Sequence, residues 1–290
     1  MQKSKKSRPA AASGNEFLVS LLDDLKHNRM DLPVLPEVVL KARKTVQDSN
    51  ATASRMAKII TADTALSARV VRVANSALLR GRTPVTSVQS AIARMGIKLL
   101  RNMITCLVMQ QVYQRGATAL VDEQLKALWE HGTRVAALSQ VIARKFTNLD
   151  PEQAMLAGLI HDIGALPILT RAAKVPELLV NPAAMQRIVD RLHPRIGKIV
   201  LQNWRFPQEF IDVVTEHENL EYDSNPGPDY VDVVIVANIH SYIGTENHRS
   251  KINWDYIPAF AKLGLTPKAS IAALNEAQEE VAEIQQLLSI

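Results

Sequence analysis

The stretch Met155-Leu-Ala-Gly-Leu-Ile-His-Asp-Ile-Gly-Ala-Leu-Pro167 constrains the fold of this chain more than any other. It is an apolar helical run that sets an imidazole and a carboxylate side by side, at His161 and Asp162. Asp150 is suited to cap this helix, Pro151 to occupy its first position, and Gln153 to return the capping bond. Gly164 and Pro167 are expected to break it. Counting back four and seven residues from His161 reaches Ala157 and Ala154, so the imidazole is expected on an inward face of small residues. A buried carboxylate without a partner is costly, and a metal ion is one partner able to satisfy the pair.

The rest of the chain reads as helix. Residues 16–29 carry the stripe Phe17, Leu18, Leu21, Leu22, Leu25. Leu32-Pro-Val-Leu-Pro36 is an extended connector, because each proline restrains its predecessor. Helices are expected over 37–47, 53–61 and 64–79, and from Thr86 to about Gln114 with an interruption at Gly96. Further helices are expected from Val121 to Phe146, over 182–191, 193–204, 207–218 and 231–243, and from Thr266-Pro267 to Leu288 with a solvated Glu-rich face. Asn225-Pro-Gly-Pro228 marks a loop. No strand pattern or internal repeat is evident, and glycine is scarce, so the fold class is all-α.

At 290 residues the chain can bury a sizeable core, and its 47% apolar and 22% charged residues suit a globular protein. One cysteine, Cys106, sits in an apolar setting; it excludes an internal disulfide and reads as a core residue in a reducing compartment. The +5 charge owes four units to Lys3, Lys5, Lys6 and Arg8, so residues 1–15 read as a disordered basic tail on a nearly neutral body. No apolar signal core follows the tail, and no uncharged run approaches the roughly 18–20 residues that cross a bilayer. A cytoplasmic protein without membrane attachment is expected.

Seven histidines decide the functional reading. His131 shares a helix face with Val135 and Leu138, His193 with Ile196, Gly197, Val200, Leu201 and Trp204, and His217 ends the stripe Phe210, Val213, Val214. With His161, four imidazoles fall on the inward faces of four helices. Singly, each reads as a hydrogen-bonded core residue; together with Asp162, convergence on a metal satisfies them all at once. His27, His240 and His248 lack such a setting and read as ordinary, and Glu216 and Glu218 read as solvated. Imidazoles with one carboxylate suit Fe, Mn, Zn, Ni or Co. Asp162 is the one carboxylate the spacing places, so one ion is expected rather than two.

His131, followed by His161-Asp162 and later histidines, resembles the HD superfamily of metal-dependent phosphohydrolases. The segments Leu32-Pro-Val-Leu-Pro-Glu-Val38, Ile59-Ile-Thr-Ala-Asp-Thr-Ala-Leu66, Val73-Ala-Asn-Ser76, Ser87-Val-Gln-Ser-Ala-Ile92 and Trp204-Arg-Phe-Pro207 resemble the HDOD (HD-related output domain) family over roughly residues 20–245. The resemblance implies an N-terminal helical bundle (16–115) packed on an HD-like bundle (116–245), followed by a C-terminal helical extension (246–290). It implies metal ligands at His131, His161, Asp162, His193 and His217, with Asp162 the catalytic residue of any activity. It departs at Asn238, where active HD enzymes carry an aspartate. Glu218 stands where the HD-GYP phosphodiesterases have a second histidine, and no Gly-Tyr-Pro motif follows, which argues against cyclic dinucleotide hydrolysis.

Two main readings follow. The first is a stand-alone signalling or regulatory output protein with a partly degenerate metal site, acting through protein partners. The second is a metal-dependent phosphohydrolase acting on a nucleotide or phosphate ester. Nucleic-acid binding rests only on the tail and on Arg69, Arg72 and Arg80, and is not expected.

Overall fold

The computed structural model describes residues 10–27, 29–41, 53–76, 79, 81–113, 118–179, 181–245 and 253–288. Its elements are α1 (Ala10–Lys26), α2 (Ala53–Thr61), α3 (Thr64–Ala74), α4 (Val88–Tyr113), α5 (Ala119–Phe146), α6 (Pro151–Ile160), α7 (Ala165–Ala172), α8 (Pro176–Leu179), α9 (Pro182–Asn203), α10 (Gln208–Glu216), α11 (Tyr230–Ser241), α12 (Pro258–Lys262), α13 (Pro267–Glu276) and α14 (Gln278–Leu288). No strand occurs among the described residues, and the fold is all-α.

The caps explain several boundaries. Asp150 Oδ1 accepts from the backbone N–H groups of Glu152 and Gln153 at 3.0 and 3.2 Å, so α6 begins as its sequence implies. Asp229 and Asp232 form a reciprocal capping box that starts α11. Asp63 caps α3 through Leu66 N–H. Gly96 interrupts α4 with φ 74°, a left-handed conformation that glycine adopts without a Cβ penalty.

Four expectations are corrected. Helix α1 begins at Ala10, so residues 10–15 of the expected disordered tail are helical, and residues 1–9 lie outside the described set. Helix α9 runs unbroken through Pro194 where two helices were expected. A helix-interior proline costs about 3 kcal/mol, but Met185, Ile188, Leu192, Ile196, Val200 and Leu201 are buried along this helix, each stabilising by roughly 1.5–3 kcal/mol. Burial wins. Pro167 lies inside the first turn of α7, where a missing N–H costs little, so it does not terminate helix. The C-terminal helix is two helices bent at the buried Ala277, and the bend lays Ile284, Leu287 and Leu288 of α14 inward against α5. Arg144 on α5 pairs with Glu280, so that acidic face is not wholly solvated.

The expected helix 37–47 is helical through Lys41, and its remainder lies outside the described residues, as do Arg80 and His248. Arg69 turns inward, donating to Leu107 O at 2.9 Å and to Gln110. Cys106 is fully buried, and burial pushes its thiol up to about 12. The segment Pro151–Ala172 is long and apolar enough to cross a membrane by length and composition alone, but 83% of its apolar window is buried in the protein.

Helix α6 is the hub. It packs against α4, α5, α10 and α11 and delivers His161 at its C-terminal end. Its small residues permit this: a Cβ on Gly158 would lie 2.9 Å from Ala136 Cα of α5.

Candidate metal centre

Four imidazoles and one carboxylate meet at the end of α6. Asp162 lies in the turn between α6 and α7. Its Oδ1 is 3.3 Å from His193 Nε2 and 3.2 Å from His217 Nε2; its Oδ2 is 3.2 Å from His161 Nε2 and 3.6 Å from His131 Nε2. His131 comes from α5, His193 from α9, and His217 caps the C-terminus of α10. His161, His193 and His217 are each no more than 2% exposed. Helical periodicity put the four imidazoles on inward faces, and the tertiary structure brings them together around Asp162.

Hydrogen bonding orients the rings. His161 Nδ1 donates to Gly158 O at 2.7 Å, His193 Nδ1 to Val189 O at 2.8 Å, and His217 Nδ1 to Val213 O at 3.0 Å. Each acceptor is the carbonyl three or four residues earlier, so the helix that carries a ring also sets its tautomer. Each ring therefore turns its Nε2 toward Asp162, the orientation of metal-ligating histidines whose second nitrogen is held by a backbone carbonyl.

That arrangement suits a cation. His131 and His161 bring their Nε2 atoms to 3.2 Å, and His193 and His217 to 3.1 Å, around an acceptor-only carboxylate. Acceptors at these separations repel unless a proton or a metal lies between them. Ligands bound at about 2.0–2.2 Å around one ion stand roughly 3 Å from one another, so the observed spacings suit coordination. Two donor groups share Asp162: His131, His161, Asp162, and Asp162, His193, His217, Glu218. The residues present fit a transition-metal ion.

Without an ion the charges respond to one another. Burial favours the neutral His161 ring, but the neighbouring Asp162 outweighs it and raises the imidazole above its ordinary value. Burial likewise favours a neutral Asp162, yet the surrounding histidines hold its carboxyl well below the usual range. His193 is lowered, burial being the larger influence.

Two expectations change here. Glu218 is not a bystander: its Oε1 is 3.6 Å from His217 Nε2, and its side chain is 25% exposed. Helix α10 ends at Glu216, so the chain leaves helical register beyond His217 and directs Glu218 into the site, which a continuous helix through 218 hid. His240 is not ordinary either. It is 6% exposed, neither ring nitrogen has a hydrogen-bond partner, and its ring meets Trp254 edge-on at 4.9 Å. His27 is surface-exposed, bonded to Asp23. Asn238 is 4% exposed on α11 with an unpartnered Oδ1, one turn before Tyr242, whose ring stacks on His131 at 5.2 Å.

Gly164 sets the closest approach in the site. A Cβ there would fall 1.9 Å from His193 O and 2.5 Å from Gly197 N, so the absence of a side chain lets the turn after Asp162 press against α9. Above the donors lies a cleft of about 430 Å³ whose lining includes His131, Asp162, His193, Asp190, Glu218 and Tyr242. Neither lysine nor arginine lines it.

The comparisons agree with this architecture. A protein of Shewanella amazonensis SB2B described as a "putative metal-dependent phosphohydrolase" superposes with TM-score 0.78 at 29% identity, over 96% of this chain and 99% of that one. An HDOD domain protein of unknown function from Geobacter sulfurreducens shares the fold with TM-score 0.71 at 20% identity, covering 96% and 98%. A sequence relative, an uncharacterized protein of Treponema pallidum, is 24% identical over 226 residues; the match spans 72% of this chain but only 42% of that protein. The HDOD domain family model matches residues 32–220, and the chain belongs to the HDOD domain family.

Proposed function

We propose that the protein is a metal-binding regulatory module of the HDOD type, which transmits its state through protein partners in a reducing, cytoplasmic setting. The observation that carries this reading is the convergence of imidazoles, held by backbone carbonyls, on Asp162 beneath a cleft with neither lysine nor arginine among its described lining residues. Asp162, His193, His217 and Glu218 would hold the principal ion, with His131 and His161 as a weaker second position sharing Asp162. One divalent transition-metal ion per chain is the expected loading.

The cleft argues for regulation over turnover. A phosphate dianion entering it meets the carboxylates of Asp162, Asp190 and Glu218, and neither lysine nor arginine among the described lining residues. At 4 Å each like-charge encounter costs on the order of 1–4 kcal/mol between bulk water and a protein surface. Asn238 brings no compensating ligand charge that would tighten ion binding.

The second reading, a metal-dependent phosphohydrolase, is favoured by one observation: the cleft opens directly onto His131, Asp162 and His193. When bound, a divalent ion supplies Lewis acidity and a nucleophilic hydroxide at neutral pH. The chain's part would be to orient its donors through the backbone carbonyls and to accept a proton at Glu218. Charge on the phosphoryl oxygens of the nucleotide or phosphate ester would be offset by the ion, which no lysine or arginine among the described lining residues does.

The test is elemental analysis of untagged protein beside a His161→Ala, Asp162→Ala variant, followed by assay against phosphomonoesters and cyclic nucleotides with added Mn²⁺. About one ion per chain, absent from the variant, and no turnover supports the regulatory reading. Turnover lost in the variant establishes the enzyme instead. No metal in either protein refutes both.

A further inference from the structure

A second cleft, sharing no lining residue with the metal centre, lies where α4 of the N-terminal bundle meets α6 and the corner between α9 and α10. Its volume is about 220 Å³. Leu156, Phe206 and Phe210 supply the apolar wall, the two phenyl rings standing edge-to-face at 5.6 Å. Arg205, with φ 53°, is the one non-glycine residue in left-handed backbone among those described, and it sits in the Trp204–Pro207 corner that brings Phe206 to this wall. A left-handed arginine is a strained conformation that the surroundings must hold in place.

The polar side of the cleft pairs the donors of Arg101 and Asn102 with Thr105, Gln153 and the acceptor Glu209. Asn102 is 2% exposed, and its Nδ2 has no hydrogen-bond partner; its Oδ1 accepts from Arg101 Nε at 3.2 Å. The terminal nitrogens of Arg101 have no acceptor among the described residues. Thr105 already donates its hydroxyl to Arg101 O at 3.1 Å. A buried amide donor left unmatched costs about 1–3 kcal/mol. Guanidinium and amide N–H groups cannot ligate a cation, so what satisfies them is an oxygen acceptor.

Size and shape narrow the occupant. An apolar cavity of about 150 Å³ admits benzene, whereas sites for drug-sized molecules begin near 300 Å³. The cleft therefore accommodates one ring and not a nucleotide or peptide. A flat ring would lie against Phe206 and Phe210 with an oxygen-bearing edge toward Arg101, beside Asn102; Glu209, exposed at the rim, could accept from a ring N–H. We propose that this cleft binds a small planar ring that carries a carboxylate or a ring carbonyl. Such a ligand would bridge the two halves of the chain at α6, five residues before His161.

The experiment is a titration of the full chain with benzoate and, separately, uracil, following the assigned side-chain amide of Asn102 by ¹⁵N-resolved NMR. A saturable shift of that amide at millimolar ligand is expected. Losing a charged hydrogen bond should weaken benzoate about tenfold in Arg101→Met; because that substitution also removes the donor to Asn102 Oδ1, unfolding and metal content of the variant are read beside those of the unaltered chain. Saturation by benzoate alone identifies a carboxylate ligand, and by uracil a ring carbonyl. No shift with either, or equal affinity in Arg101→Met, overturns the proposal and leaves Asn102 bonded to water.

Discussion

Gly164→Ala is the substitution that most directly tests how the metal centre is assembled. The added Cβ would lie 1.9 Å from His193 O and 2.5 Å from Gly197 N, against a floor of 3.0 Å for real Cβ contacts. The turn after Asp162 and helix α9 must therefore separate by about 1 Å, and both obstructing atoms are backbone, which cannot swing aside as a side chain can. Overpacking in a core costs typically 1–3 kcal/mol and occasionally more; a backbone-on-backbone clash belongs at the upper end, about 3 kcal/mol. The same displacement moves the residue that carries His193 Nε2, now 3.1 Å from His217 Nε2. Metal sites tolerate only about ±0.2 Å in ligand distance, so the variant should also lose most of its bound ion. The assay is urea unfolding at fixed metal concentration, with elemental analysis of the same samples. Gly227→Ala is the control, having nothing within 4 Å of its Cβ position, and should change stability by less than about 0.5 kcal/mol. A Gly164→Ala protein as stable as that control, with its metal retained, would refute the claim that this close approach holds the site together.

Other consequences concern charge. Asn238→Asp restores the aspartate that the family resemblance expects at this buried position; if that carboxylate reaches the ion, metal affinity should rise about tenfold, while the metal-free protein loses stability through an unpaired buried charge, and calorimetry with and without metal reads both signs. His240 is buried without a polar partner, and burial depresses its imidazole to about 4. Its unfolded form, near 6.5, binds protons first as pH falls, so stability is fully present above that value and is lost progressively between 6.5 and 4, by about 2 kcal/mol from pH 7 to pH 5. His240→Leu should remove that part of the slope in denaturant titrations at the two pH values, and an unchanged slope would show that the ring is solvated.

Much of this was legible in the chain alone because its signals are local. Periodicity placed His131, His161, His193 and His217 on inward faces, and capping chemistry at Asp150 started α6 where it starts. What misled the reading was also local. Pro194 reads as a break because proline's cost belongs to its own residue, whereas the apolar face that overrides it is distributed along α9. Glu218 reads as solvated because a helix extended through it points it outward. His240 reads as unremarkable because Trp254 and Phe260, which bury it, come from a distant segment.

The sequence by itself determined the helical class, through residue type and spacing along each helix, and the family, through the segments that resemble it. Only the tertiary structure decided that the donors meet around one carboxylate, that Glu218 joins them, and that the cleft above has neither lysine nor arginine among its described lining residues. Those properties depend on the relative placement of α5, α6, α9 and α10. That placement is set by packing between helices, including the contact at Gly164 that no single helix encodes.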